Sequence, residues 1–278
     1  MFLHTNISIL GPISLVNSPI NFFGKILATG LAMELPKLVG CHQSAFTKGR
    51  SLHDNFMLVQ CTARRMHALR NPAALLKLDI TKAFDSIQWP FLIEVLRRLG
   101  FGHKWLTWIC GLLATSSMRI MINGRPGKPI LACQGFRQGD PLSPMLFILC
   151  MEPLYALFQH ASEHGLLAPL ARSGMQQRVS MFADDVVVFM KPTELEAATS
   201  RVILHLFGQA SGLSVNMAKS TVLPIRCSQD EIELLSTMLG CPTAPFPCKY
   251  LGLPLTLQKK NAVQLQPPVD RVGDNLPL

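Results

Sequence analysis

Charge is scarce in this chain. Only 15% of its 278 residues are Asp, Glu, Lys or Arg, while 49% are apolar, a balance that excludes a disordered, self-repelling polypeptide. Acid is scarcer than base, 17 residues against 26, which leaves a net charge of +9. A basic surplus favours a polyanionic partner, because Lys and Arg that neutralise phosphates release counterions. Long apolar runs are missing too: Pro, Gly or a charge interrupts each one before the roughly 18 residues a membrane span needs. No basic segment precedes the apolar residues 1–20, so a secretory leader is weakly supported. None of the eight cysteines forms a C-x-x-C pair. They read as reduced, buried thiols of an intracellular protein, nuclear and cytoplasmic sites being indistinguishable, rather than as a zinc site or disulfide framework. There is no internal repeat, no low-complexity linker, and no glycine-rich phosphate loop after a strand.

What is present is a patterned succession of elements. Residues 18–40 and 54–69 have helical spacing, and Leu75–Ile80 is a short apolar strand. Pro90 suits a first helical turn, Leu92, Val95, Leu96 and Leu99 fall on one face, and Gly100 ends that helix. A further helix is expected over 103–114. Met118–Ile122 leads into Asn123-Gly124, a strong hairpin signal, with a return strand near 128–133. Ser143-Pro144 opens an apolar helix to about residue 160. Val179–Phe182 and Val186–Met190 flank Ala183, Asp184 and Asp185, which predicts a second hairpin tipped with two carboxylates. Thr193 with Glu196, and Ser228 with Glu231, fit capping boxes, and Lys249–Leu255 reads as a late strand. The order suits an α+β domain whose antiparallel sheet is backed by helices on one face. It does not suit a doubly wound parallel sheet.

Asp184 and Asp185 invite a chemical question. Adjacent carboxylates in an apolar hairpin are costly, through desolvation and mutual repulsion, unless a cation compensates. Taken alone, an A-D-D string is more often a water-exposed turn, and Asp79 at a strand end is equally readable as a helix cap. Together, one acid at a strand end and two at a hairpin tip can converge on hard divalent cations such as Mg²⁺. Two such ions roughly 4 Å apart activate a 3′-hydroxyl and stabilise a leaving pyrophosphate.

The strings around these acids resemble those of reverse transcriptases of non-LTR (LINE-type) retrotransposons, with a plant flavour. Residues 78–86, Leu-Asp-Ile-Thr-Lys-Ala-Phe-Asp-Ser, resemble the family's first catalytic motif. Residues 134–144, beginning Gln134-Gly135-Phe136-Arg137-Gln138-Gly139-Asp140, resemble its nucleotide- and template-handling motif, and Phe182-Ala183-Asp184-Asp185 its metal-binding hairpin. Gln43-Ser44-Ala45-Phe46 with Gly49-Arg50 is similar to a fingers segment, Gly212–Asn216 with Lys219-Ser220 to the motif after the hairpin, and Tyr250–Leu255 to the primer grip. The six matches fall in the family's order.

The resemblance implies a right-hand polymerase fold of fingers and palm that copies an RNA template from a DNA primer, using deoxynucleoside triphosphates and two Mg²⁺ ions. It implies partial fingers over 1–74, a palm over 75–255 with a fingers insertion near 86–135, and the start of a thumb or connection over 256–278. Asp79, Asp184 and Asp185 are implied as metal ligands and Lys219 as proton donor to pyrophosphate, a solvated surface lysine being the alternative. Phe84 is implied as the gate against a ribose 2′-hydroxyl, with core packing as its plainer reading. Arg137 and Gln138 are implied near the incoming nucleotide, with Gly135 and Gly139 letting backbone approach the substrates. Lys48 and Arg50 are implied at triphosphate or template phosphates, a solvated basic face being the other reading. No membrane or protein partner is implied.

The pattern departs at Gly11, where the family usually carries an arginine before Pro12-Ile13-Ser14-Leu15. Little chain precedes that point and little follows Leu255. The expectation is therefore a core cut short at both ends, with an inactive relic that keeps only nucleic-acid affinity as the alternative.

Overall fold

The computed structural model describes residues 18–123, 125–137, 139–171 and 177–258. Helices α1 (Ser18–Leu38) and α2 (Leu52–Ala68) lead into strand β1 (Ala73–Leu78). A short helix α3 (Ala83–Ser86) follows, then α4 (Trp89–Arg98) and α5 (His103–Ala114). Four two-residue strands come next: β2 (Ser117–Met118), β3 (Met121–Ile122), β4 (Arg125–Pro126) and β5 (Ile130–Leu131). The long helix α6 (Ser143–Glu163) precedes the hairpin β6 (Val179–Phe182) and β7 (Asp185–Met190). Helix α7 (Glu194–Ser211), strand β8 (Thr221–Ile225), helix α8 (Gln229–Leu239) and the hairpin β9 (Cys248–Tyr250) and β10 (Leu253–Leu255) complete the order.

The expected helices and both expected hairpins form. β3 pairs with β4 and β2 with β5, around a turn at Asn123. Expectation and structure differ in three places. Thr221–Ile225, unassigned from the sequence, is an edge strand; Pro224 is tolerated there because an edge position need not donate to a ladder. The late strand is two strands, folded at Leu251 and Gly252, both at positive φ, the type I′ pattern. And β1 runs from Ala73 to Leu78, starting and ending two residues earlier than the expected Leu75–Ile80.

The central sheet has the order β6-β7-β1-β8, with every neighbouring pair antiparallel. Because strand side chains alternate, β1 sends Ala74, Leu76 and Leu78 to one face and Ala73 and Leu75 to the other. The first face joins Val186, Val188 and Met190 of β7 and packs on helices α1 and α4 to α8. The second joins Val187 and Phe189 and packs on Phe56, Val59, Ala63 and Met66 of α2, with Tyr250 and Leu255 of the C-terminal hairpin. Helices therefore cover both faces, not one. That is why β1 and β7 read as nearly continuous apolar runs instead of alternating. Each fully buried Leu, Val or Phe in these two layers contributes about 1.5–3 kcal/mol relative to its exposed state.

A buried ion pair ties the segment before β6 to α7. Arg178 Nη1 donates to Glu196 Oε2 at 2.7 Å and to Phe189 O at 2.9 Å, and Glu196 also accepts the backbone N–H groups of Ala168 and Lys191. Among the described residues all eight cysteines are free thiols, as expected. Cys41, Cys61, Cys110 and Cys133 are exposed, however, against the expectation that the thiols are buried. Among the described residues no helix is long and apolar enough to cross a membrane.

Candidate active site

The site stands at one end of the sheet, where β1 and β7 meet. Phe182 pairs with Asp185, so Ala183 and Asp184 form a two-residue turn and Asp185 is the first residue of β7. Ala183 has φ of +54° while Asp184 does not have positive φ, the pattern of a type II′ turn, whose first position favours glycine. An alanine there carries a left-handed backbone at a cost of roughly 1–2 kcal/mol.

Register decides where Asp79 lies. Leu78 pairs with Val186. β1 ends one residue before Asp79 and β7 begins at Asp185, one residue before Val186, so the two acids stand at the same end of the sheet. Two chain segments more than a hundred residues apart thus bring their acids to one sheet end. The turn after α7 fixes the β1 side. Ile80 bridges to Val215, Asn216 N donates to Asp79 O at 2.8 Å, and Asp79 N donates to Ser220 Oγ at 3.0 Å. Lys219, exposed, belongs to this same turn, its N–H held by Asn216.

The electrostatics are those of acids only partly offset by a nearby lysine. Asp184 is exposed and Asp185 half-buried. Burial pushes the Asp185 carboxyl above its ordinary range, the neighbouring Asp184 adds to the rise, and Lys77 offsets part of it. Among the described residues none of the three carboxylates has a hydrogen-bond donor or an ion-pair partner. Neighbouring like charges repel, so a bound cation would relieve the repulsion between Asp184 and Asp185. Among the described residues no three acid, His or Cys side chains already close around a point where an ion would sit. Mg²⁺ does not require such a cage: it keeps water and is bound through one or two carboxylates plus substrate phosphates. The all-oxygen donors fit a hard cation.

Phe84, on α3 beside the acids, is half-buried. Its ring stacks on Phe147 of α6 at a centroid distance of 4.6 Å and meets Phe136 edge-on at 6.4 Å. Two loops press on α3 from either side. Gly135, at φ +74°, would place a Cβ 2.6 Å from Asp85 O, and Gly212, at φ +81°, would place one 2.2 Å from Ser86 O. Gly135 N donates to Ile87 O and Phe136 N to Phe84 O, both at 2.7 Å.

Residues 12–255 match the family described as reverse transcriptase (RNA-dependent DNA polymerase). The chain belongs to the reverse transcriptase family. It is 28% identical over 225 residues to the Pol polyprotein of the type-1 retrotransposable element R2 of Nasonia vitripennis, covering 80% of this chain and 21% of that protein. It is likewise 28% identical over 213 residues to an uncharacterized 149 kDa protein of transposon TX1 of Xenopus laevis, covering 76% of this chain and 16% of that one. The chain thus spans about a fifth of the length of these relatives. Among solved structures it resembles telomerase from Candida tropicalis in complex with a fragment of telomeric RNA. The TM-score is 0.56 at 12% identity, over 88% of this chain and 37% of that one, a likeness of fold alone.

Several residues expected at nucleotide also hold backbone in this structure. Arg50 donates to the carbonyls of Val39, Gly40 and Gln43 and so ties down the loop that follows α1. Arg137 donates to Ser116 Oγ at 2.7 Å, Leu112 O at 3.0 Å and Thr115 Oγ1 at 2.5 Å, closing the C-terminus of α5. Partial burial holds its guanidinium pKa down, and Asp140 offsets this. Gly135 allows a close approach to the Asp85 backbone. Lys48 is exposed and lines an open cleft with Lys25, Thr47, Pro141 and Met145. Gln138 lies outside the described residues. Sequence reasoning gave no role to Gln43 and Asn55, whose side chains meet the hairpin directly. Gln43 Oε1 accepts from Ala183 N, and Asn55 Nδ2 donates to Met181 O and Ser180 Oγ. Gln43 was visible only as part of the string resembling a fingers segment, and Asn55 carried no signal.

Proposed function

We propose that this chain is the polymerase core of a non-LTR retrotransposon of the kind carried by plant genomes, and that it extends a DNA primer on an RNA template with deoxynucleotides. The observation that carries the reading is the register pairing Leu78 with Val186, which puts the end of β1 that leads into Asp79 beside the start of β7 at Asp185. Asp79, Asp184 and Asp185 would hold two Mg²⁺ ions. Bound there, such ions supply the Lewis acidity that activates a primer 3′-hydroxyl and neutralises charge on the departing pyrophosphate.

The chain's own residues do the rest. The β6–β7 turn and the end of β1 fix the spacing of the carboxylates. Phe84, braced by Phe147 and Phe136, presents a ring where a ribose 2′-hydroxyl would need room, so sugar discrimination follows from a clash. Lys219, free on the turn that holds Asp79, is the residue that would give a proton to pyrophosphate. Lys25 and Lys48 offer positive charge along the cleft beside α1, where a phosphate backbone gains from it without sequence preference. Arg50 and Arg137 act through the backbones they hold. Residues 1–74 would serve as partial fingers, 75–255 as palm with a fingers insertion near 86–135 and 256–278 as the start of a thumb or connection, and the nucleus or cytoplasm is the setting where such a template is met.

The test is single-nucleotide extension of a DNA primer on an RNA template, with and without Mg²⁺. Asp184→Asn should lower the rate about a hundred- to a thousandfold, the scale on which such electrostatic groups act. Parent-like extension by that variant would remove the metal assignment.

A further inference from the structure

The segment 40–50 stands apart in sequence from both acid-bearing strands, yet it is bolted to the hairpin that carries two of the acids. Gln43 bridges to Met181 of β6 in parallel register, with Met181 N donating to His42 O at 2.7 Å and Ser44 N to Met181 O at 3.1 Å. The segment is itself held from three sides. Arg50 donates to Gln43 O at 2.7 Å, His42 Nε2 meets Glu152 Oε1 of α6 at 2.9 Å, and Asn55 Nδ2 reaches both Ser44 Oγ and Met181 O. Tyr250 of the C-terminal hairpin closes the frame by donating to Asn55 Oδ1 at 2.8 Å.

Within this frame the Gln43 side chain is wholly buried. Its Oε1 accepts two backbone N–H groups, Ala45 and Ala183, each at 3.0 Å. The amide cannot be turned over, since its NH₂ would then face two donors. Its Nε2 has no partner among the described residues, so the acceptor oxygen is the functional end. The N–H of the first residue in a two-residue hairpin turn lies outside the strand ladder. Ala183 is buried, and without Gln43 its donor would be a buried orphan. Ala183 is also the residue in the left-handed conformation.

We propose that Gln43 is a positioning residue: its carboxamide oxygen locks the backbone of the Ala183–Asp184 turn and thereby sets where Asp184 and Asp185 stand relative to Asp79. The kinetic half of its test rests on the polymerase reading above; the structural half does not.

The experiment measures amide hydrogen exchange, residue by residue, on the full chain, alongside primer extension. In the parent, Ala183 N–H should be protected at least about a hundredfold despite its place at a turn, because only local or global opening releases it. Gln43→Met keeps the volume and removes the acceptor. It should lose about tenfold or more of the protection at Ala183, while Val187 and Val188 amides in the same hairpin keep theirs. It should lower kcat about tenfold, with KM for the deoxynucleotide within about twofold, as expected when a group's placement, not substrate binding, is lost. Gln43→Glu retains an acceptor and should keep Ala183 protected, which decides the matter if Gln43→Met fails to fold. Fast exchange of Ala183 in the parent would overturn the proposal. So would a Gln43→Met loss spread evenly over β7, which would mark ordinary destabilisation. A protected Ala183 in a chain that extends no primer supports the turn lock and counts against the polymerase reading alone.

Discussion

At the scale of single residues, the molecule combines acids that repel with backbone positions that tolerate one residue type. Gly135 is the sharpest of these. Its φ is +74° and a Cβ would stand 2.6 Å from the Asp85 carbonyl, so an alanine meets both a disfavoured conformation and a backbone that cannot yield. Gly135→Ala should destabilise the fold by about 2–4 kcal/mol, read as a fall in the midpoint of urea unfolding at constant slope. A shift within 0.5 kcal/mol would mean that the loop carrying Arg137 is not pressed on α3. The acids themselves were legible in the sequence, since their strings and order carry them. Arg50 and Arg137 were legible as important but not in their work. A cation in a motif looks the same whether it meets a phosphate or the carbonyls at a helix end, and only the end of α1 or α5 in space distinguishes the two. Gln43 was legible only as part of a string, because an amide that accepts from a turn 140 residues away has no periodicity of its own.

Elements are where the sequence speaks most clearly. Helical spacing, Pro90, Ser143-Pro144 and the turn pairs locate nearly all of them, because local propensity and tertiary packing agree. The two capping boxes show the limit of this reading. Ser228 with Glu231 forms the full reciprocal box. Thr193 caps α7 by accepting from Glu196 N, but the Glu196 carboxylate turns away to Arg178, Ala168 N and Lys191 N. The local pattern is obeyed by half, and a buried ion pair takes the other half. Glu196→Gln, which removes the charge and leaves Arg178 buried without its partner, should cost about 3–5 kcal/mol. Ser228→Ala, at an exposed cap, should cost about 1 kcal/mol. Thermal unfolding of the two variants side by side checks the contrast, and equal shifts would contradict it. Strand β8 escaped notice for a different reason: five residues including Pro224 are too few for a period to stand out, and its place is set by pairing with β1.

On the scale of the whole molecule, a sheet covered on both faces exposes only its ends, and one end carries Asp79, Asp184 and Asp185. The sequence implied the sheet and the acids, but not that α2 and the C-terminal hairpin cover the second face; apolar runs in β1 and β7 were the available sign. Burying both faces makes the sheet a rigid platform, so charge that would be diffuse on a loop is held in one place. Three acids without protein donors in that place make cation binding the central claim. It is tested most directly by titrating the chain with Mn²⁺ as a stand-in for Mg²⁺, in the presence of primer–template and a deoxynucleotide, and counting bound ions by electron paramagnetic resonance. The account predicts two ions per chain for the parent and loss of tight binding in Asp79→Asn and in Asp184→Asn alike, since both strands contribute to one site. Unchanged stoichiometry and affinity in Asp79→Asn would contradict it.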